Sequence, residues 1–159
     1  TESIKRSFEI LEKELLEEII IEHASEYMLE NSLINKVRKK DILCISENYI
    51  LVEMSYLAEP INLFEIIYEI NVNGYIPVLA HPERYLFLYN DIEKYIKLKK
   101  VGCLFQANLL SLTNYYGVNV RKLIDKLLKR NLIDCFGSDI HSHRHIKGFD
   151  KKGYDKGLW

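Results

Sequence analysis

"IPVLAHPERY", residues 76–85, decides how the rest of the chain is read. Ile76, Val78, Leu79 and Ala80 carry no charge, and a short apolar run bounded by turn signals fits a strand buried on both faces. The run then stops on an imidazole, His81, followed by Pro82, Glu83 and Arg84. One buried strand ending in groups that bind cations or anions means little. It becomes informative if other strands end the same way.

Working outward, strand and helix patterns alternate. Upstream, Ile4, Phe8, Leu11, Leu15 and Ile19 follow helical spacing in residues 4–19, and "IIIEHASEY" (19–27) reads as a strand. A helical stretch at 28–39 precedes a strand at 48–56, "NYILVEMSY". Residues 62–75 form an amphipathic helix with Leu63, Ile66, Ile67 and Ile70 on one face and Gly74 as its stop. Downstream, residues 91–102 make a helix with an acidic start and a basic, glycine-terminated end. "CLFQAN" (103–108) is a strand, 117–131 a helix with Val120, Leu123, Ile124, Leu127 and Leu128 inward, and "LIDCFGSD" (132–139) the last clear strand. Residues 147–159 show no pattern.

Strands alternating with helices imply βαβ units and a parallel sheet. A closed eight-stranded α/β barrel takes about 250 residues, and about 200 even when small. At 159 residues the chain is short for one, and it is read as a single domain spanning 1–159.

The ends of these strands now line up. They carry Glu26, Glu53, His81, then Gln106 with Asn108, then Asp139 with His141. In α/β barrels the C-terminal strand ends converge on one face, where active sites lie. Two glutamates, an aspartate and two histidines make a mixed oxygen and nitrogen set suited to Mn²⁺, Fe²⁺ or Zn²⁺. Such ions lower the pKa of bound water and polarise phosphoryl or carbonyl oxygens. Arg84 fits an anion clamp, because its planar fork suits phosphate. Each residue also has a plainer reading. A strand-end glutamate is commonly a solvated charge, Arg84 could pair with Glu83, Gln106 and Asn108 could only orient neighbours, and "HSHRH" could be a solvated histidine tract. The tyrosine-rich stretches "YLFLY" and "NYYG" read as packing and amphipathic surface.

Composition removes other classes. With 48% hydrophobic residues a sizeable core is expected and disorder is not. A net charge of −1 without a basic stripe gives no nucleic-acid surface. No apolar run is long enough to span a bilayer, and the first residues lack the layout of a signal peptide. Cys44, Cys103 and Cys135 form no C-x-x-C pair and read as buried thiols in a reducing compartment, which places the protein in the cytoplasm.

"PVLAHPERY", "GCLFQANLLSLTNYYG" and "GSDIHSHRH", in this order, resemble the polymerase and histidinol phosphatase (PHP) superfamily. The branch resembled is the CpsB/YwqE type of bacterial tyrosine-protein phosphatase, associated with capsular and exopolysaccharide synthesis. The resemblance implies a distorted (β/α)7 TIM-like barrel with up to three divalent metal ions, manganese first and iron or zinc as alternatives. By motif, Glu26, Glu53, His81, Asp139 and His141 match metal ligands, Arg84 matches an arginine that binds the substrate phosphate, and Arg144 matches a second one more weakly.

The family's opening H-x-H strand and a further histidine are absent. The chain is therefore expected to lack the first two βα units of the barrel, to bind metal weakly, to be inactive as it stands, and to associate with itself over an exposed sheet edge. The activity implied is removal of phosphate from phosphotyrosine of a bacterial tyrosine kinase that controls polysaccharide export. The rival readings are a phosphatase for a small ester such as histidinol phosphate, and a binding domain without catalysis. No cysteine nucleophile is implied, since none of the three lies in a C-x5-R loop.

Overall fold

The computed structural model describes residues 2–14 and 21–150. Helix α1 spans Glu2–Glu14. Among the described residues five strands follow, β1 Glu26–Met28, β2 Tyr49–Glu53, β3 Ile76–Ala80, β4 Leu104–Asn108 and β5 Cys135–Gly137, all parallel and in consecutive order across one sheet. The connections are α2 Asn31–Arg38, α3 Leu63–Val72, α4 Ile92–Lys100 and α5 Val118–Leu128, and α6 His143–Asp150 comes last.

The alternation that makes these strands also chooses their faces. Tyr27, Ile50, Val52, Leu79 and Phe105 project to one side of the sheet. They share a single buried cluster with Leu33 and Val37 of α2, Ile66, Ile67 and Ile70 of α3, Tyr95 and Leu98 of α4, and Leu123 and Leu127 of α5. All four connecting helices thus bury their apolar stripes on one face, as successive right-handed βαβ crossovers require. A doubly wound sheet would place helices on both. Ile50 is fully buried within this layer. Ile50→Val is expected to cost about 1 kcal/mol, read as a lower urea midpoint at unchanged slope.

Helix ends follow their sequence signals. The Asp91 carboxylate accepts a hydrogen bond from Lys94 N at the start of α4, and Lys97, Lys99 and Lys100 fill its last turn. Gly74 and Gly102, just past α3 and α4, have φ of 84° and 88°, the left-handed conformation that closes a helix without a Cβ penalty.

Several sequence expectations are corrected. The strand expected at 19–27 is only Glu26–Met28 within the described residues; residues 21–25 are irregular, because Ser25 N donates to Leu43 O rather than to β2. Met28 and Leu29, expected in a helix, instead extend the pairing with Glu53, and α2 starts at Asn31. The first helix is described only to Glu14, so its expected last turns lie outside the described residues. Helix α6 was not expected; its apolar spacing is too sparse to register. Cys103 is buried as expected, but Cys44 is only partly covered and Cys135 is exposed. Cys135 pairs with Gln106 on the edge strand and faces away from the helices.

Candidate metal centre

The parallel sheet gathers its strand ends on one rim. Glu53 closes β2, His81 follows β3, Asn108 closes β4, and Asp139 lies two residues past β5. Glu26 differs from expectation: it opens β1 and pairs with Leu51, so it sits two residues below Glu53 and its long side chain must reach up. His81 N still bonds to Gln106 O at 2.7 Å, extending the ladder, before the chain turns sharply. That turn puts His81 in the left-handed region (φ 37°), and Asp139 adopts the same conformation (φ 48°). A non-glycine residue held there costs about 1–3 kcal/mol, strain that collects at functional sites.

His81 Nε2 lies 3.4 Å from Glu26 Oε1 and 3.7 Å from Glu53 Oε2. One ligand atom from each residue falls within 4.8 Å of the other two. His81 is buried, its Nδ1 has no partner among the described residues, and its Nε2 is the end that faces both glutamates. The Glu53 carboxyl is pushed up, first by burial and then by the neighbouring Glu26 charge. A pair of crowded carboxylates facing an imidazole nitrogen is a donor set that a borderline divalent cation satisfies, because the cation removes their repulsion.

Around this triad, Tyr56, Arg84, Asp139, His141 and His145 complete a pocket of about 300 Å³. Asp139 Oδ2 accepts from Arg84 Nη1 at 3.0 Å and from Asn108 Nδ2 at 2.8 Å, while its Oδ1 lies 3.0 Å from His141 Nδ1. Arg84 therefore pairs with Asp139 and not with Glu83. The Tyr56 hydroxyl is 3.4 Å from His81 Nε2, and burial pushes its pKa up to about 12, so it stays a neutral phenol.

The rim is braced from below. Tyr85, fully buried, donates from its hydroxyl to Ala80 O and accepts from Met54 N, joining the residue before His81 to the residue after Glu53. Glu83, also fully buried, accepts from Asn108 N at 2.9 Å and from Ser111 Oγ at 2.5 Å through Oε1. Asn108 then carries that support to Asp139.

Arg144 does not join the pocket. It lies on α6 beside Tyr115 and Lys147 in a neighbouring hollow. Gln106 lies against Gly137, where a Cβ would meet its amide nitrogen at 2.5 Å. Tyr56 and Ser111 escaped the sequence reading, and Tyr85, Tyr116 and His145 lay in stretches read as packing surface or a solvated histidine tract. Tyr56 stands three residues past Glu53, a spacing matched by Arg84 past His81; that repeat was the available signal.

The profile of the family described as capsular polysaccharide synthesis, CpsB/CapC, matches residues 1–148. The chain belongs to that family. Among CpsB/CapC relatives, the CapC protein of Staphylococcus aureus is 33% identical over 118 residues, covering 74% of this chain and 46% of its own length. Tyrosine-protein phosphatase YwqE of Bacillus subtilis is 26% identical over 144 residues, covering 88% and 57%. Tyrosine-protein phosphatase CpsB of Streptococcus pneumoniae is 26% identical over 149 residues, covering 90% and 61%. The chain thus spans between 46% and 61% of the length of these CpsB/CapC relatives. A chain from the crystal structures of YwqE and CpsB, described as metal-dependent tyrosine phosphatases, superposes with a TM-score of 0.79 at 24% identity, over 96% of this chain and 67% of that one. The fold is the same.

Proposed function

We propose that this chain carries the metal-binding rim of a phosphohydrolase that removes phosphate from phosphotyrosine, with a phosphorylated bacterial tyrosine kinase of capsule or exopolysaccharide synthesis as substrate. The observation that carries the reading is the meeting of Glu26, Glu53 and His81 with the Arg84 guanidinium in one pocket. The names of the CpsB and YwqE relatives supply the substrate class. Consecutive parallel strands with every connecting helix on one face support reading the sheet as an arc of a distorted (β/α)7 PHP barrel, one domain over 1–159. No helix among the described residues is long and apolar enough to cross a membrane, and the location proposed is the cytoplasm.

Glu26, Glu53 and His81 would hold the cation, manganese before iron or zinc, with Asp139 and His141 as further ligands on the same rim. A bound divalent cation supplies Lewis acidity and a water of lowered pKa. The remaining work is positional, as phosphoryl transfer demands. Arg84 is anchored to Asp139 through Nη1, which leaves Nε and Nη2 to receive a phosphate oxygen pair.

Two measurements test this. Manganese at about 100 times its Kd is expected to stabilise the protein by about 2.7 kcal/mol, seen as a higher Tm. The manganese-loaded full-length protein carrying this chain is expected to turn over a phosphotyrosyl peptide faster than histidinol phosphate. A preference for histidinol phosphate would transfer the reading to small esters, and turnover of neither would remove it.

A further inference from the structure

We propose that Tyr56 and Tyr116 are positioning residues that fix the Arg84 guanidinium as a preformed phosphate receptor. The inference rests on the phosphate-ester reading above and deepens it. The Arg84 Cζ lies 4.8 Å from the centre of the Tyr56 ring and 4.4 Å from that of Tyr116, both within cation–π range. The two rings come from separate segments, Tyr56 from the loop after β2 and Tyr116 from the turn before α5. Their convergence on one guanidinium is therefore a product of the fold and not of local sequence.

An exposed arginine samples many rotamers, and holding it for a ligand costs entropy at the moment of binding. Here the side chain is held beforehand at three points: two rings and the Asp139 carboxylate. Only Nη1 is used by that carboxylate, which leaves the other guanidinium N–H groups for an anion in the pocket that Arg84 lines with Glu26, Glu53 and His81. The Tyr56 ring also stacks on His81, centroids 5.5 Å apart at 27°, so one side chain sets the spacing between the cation ligands and the anion clamp. Tyr116 is further wedged against His145, centroids 6.4 Å apart. Its hydroxyl is buried with no partner among the described residues, so the ring, not the hydroxyl, is what the site uses.

The test follows phosphate affinity in the manganese-loaded full-length protein carrying this chain, by calorimetry with inorganic phosphate and by KM for a phosphotyrosyl peptide. Tyr56→Leu and Tyr116→Leu are each expected to raise both constants by about two- to thirtyfold, the range of one cation–π contact. kcat is expected to fall by less than KM rises, and bound manganese to stay at the wild-type level in Tyr116→Leu, whose native ring does not touch His81. Tyr116→Phe, which keeps the ring, is expected to recover the affinity lost in Tyr116→Leu.

Wild-type phosphate affinity in both leucine variants overturns the proposal, and so does a Tyr116→Phe protein as weak as Tyr116→Leu. Should Tyr116→Leu fail to fold, Tyr56→Leu carries the same test from an exposed position. A wild type that binds phosphate without hydrolysing phosphotyrosine removes the enzymatic reading alone, and the calorimetric comparison still decides this one. A wild type that binds no phosphate overturns both.

Discussion

In the full-length protein, replacing His81 with alanine is expected to lower kcat/KM for a phosphotyrosyl peptide by about 10³-fold and to strip manganese on dialysis. His81 is the point where the triad meets: both glutamates face its Nε2, and it is the only member of the three that is buried. Removing it deletes the one imidazole nitrogen that both carboxylates of the triad face, and leaves two glutamates to hold the cation alone. A loss of about 4 kcal/mol in transition-state stabilisation corresponds to 10³ in rate, within the several kcal/mol that a catalytic metal contributes. The backbone offers a control. At φ 37° alanine inherits the strain of the native turn, whereas His81→Gly relieves it. Both variants are expected to lose the same activity, with the glycine protein the more stable of the two. Activity within tenfold of wild type in either variant would remove His81 from the cation site.

Much of this architecture was legible because it is periodic. The alternation of half-buried and buried residues along β2, the apolar run of β3 and the inward stripes of α3, α4 and α5 are local signals, and each became the element it announced. His81 and Arg84 were visible because polar groups ending an apolar run are conspicuous. Glu26 was placed in the right strand but at the wrong end. Only three residues of β1 pair, and pairing depends on a neighbour 25 residues away, which local pattern does not encode. Tyr116 was read as packing because an aromatic residue in a polar turn looks the same whether it faces solvent or a guanidinium. Only the sheet order brings it to Arg84. Glu83 was considered as a partner for Arg84, its neighbour in sequence. The tight turn at Pro82–Arg84 sends the two side chains in opposite directions, one into the core and one onto the rim.

That inward turn makes Glu83 the second position of large expected effect. Glu83→Ala is expected to destabilise the protein by about 3–5 kcal/mol, measured by urea denaturation without metal. The carboxyl is fully buried, and through one oxygen it accepts both Asn108 N–H and the Ser111 hydroxyl. Each donor left unsatisfied costs about 1–3 kcal/mol, and the cavity adds to that. The loss also reaches the rim, since Asn108 is the residue that donates to Asp139. Burial pushes the Glu83 pKa above its ordinary value of 4.5, more strongly than its hydrogen bonds lower it. The sign of the pH effect follows. Below 4.5 the folded and unfolded chains both hold the proton. Above it the unfolded chain releases the proton first, so the contribution of Glu83 to stability declines until pH passes its folded pKa. Glu83→Gln keeps an acceptor oxygen and has no proton to release. The stability of the wild type relative to Glu83→Gln is therefore expected to fall as pH rises from 4.5. A difference that grows with pH would mean that the carboxyl is held as a charged group, with a cation or donor in the core that faces its second oxygen.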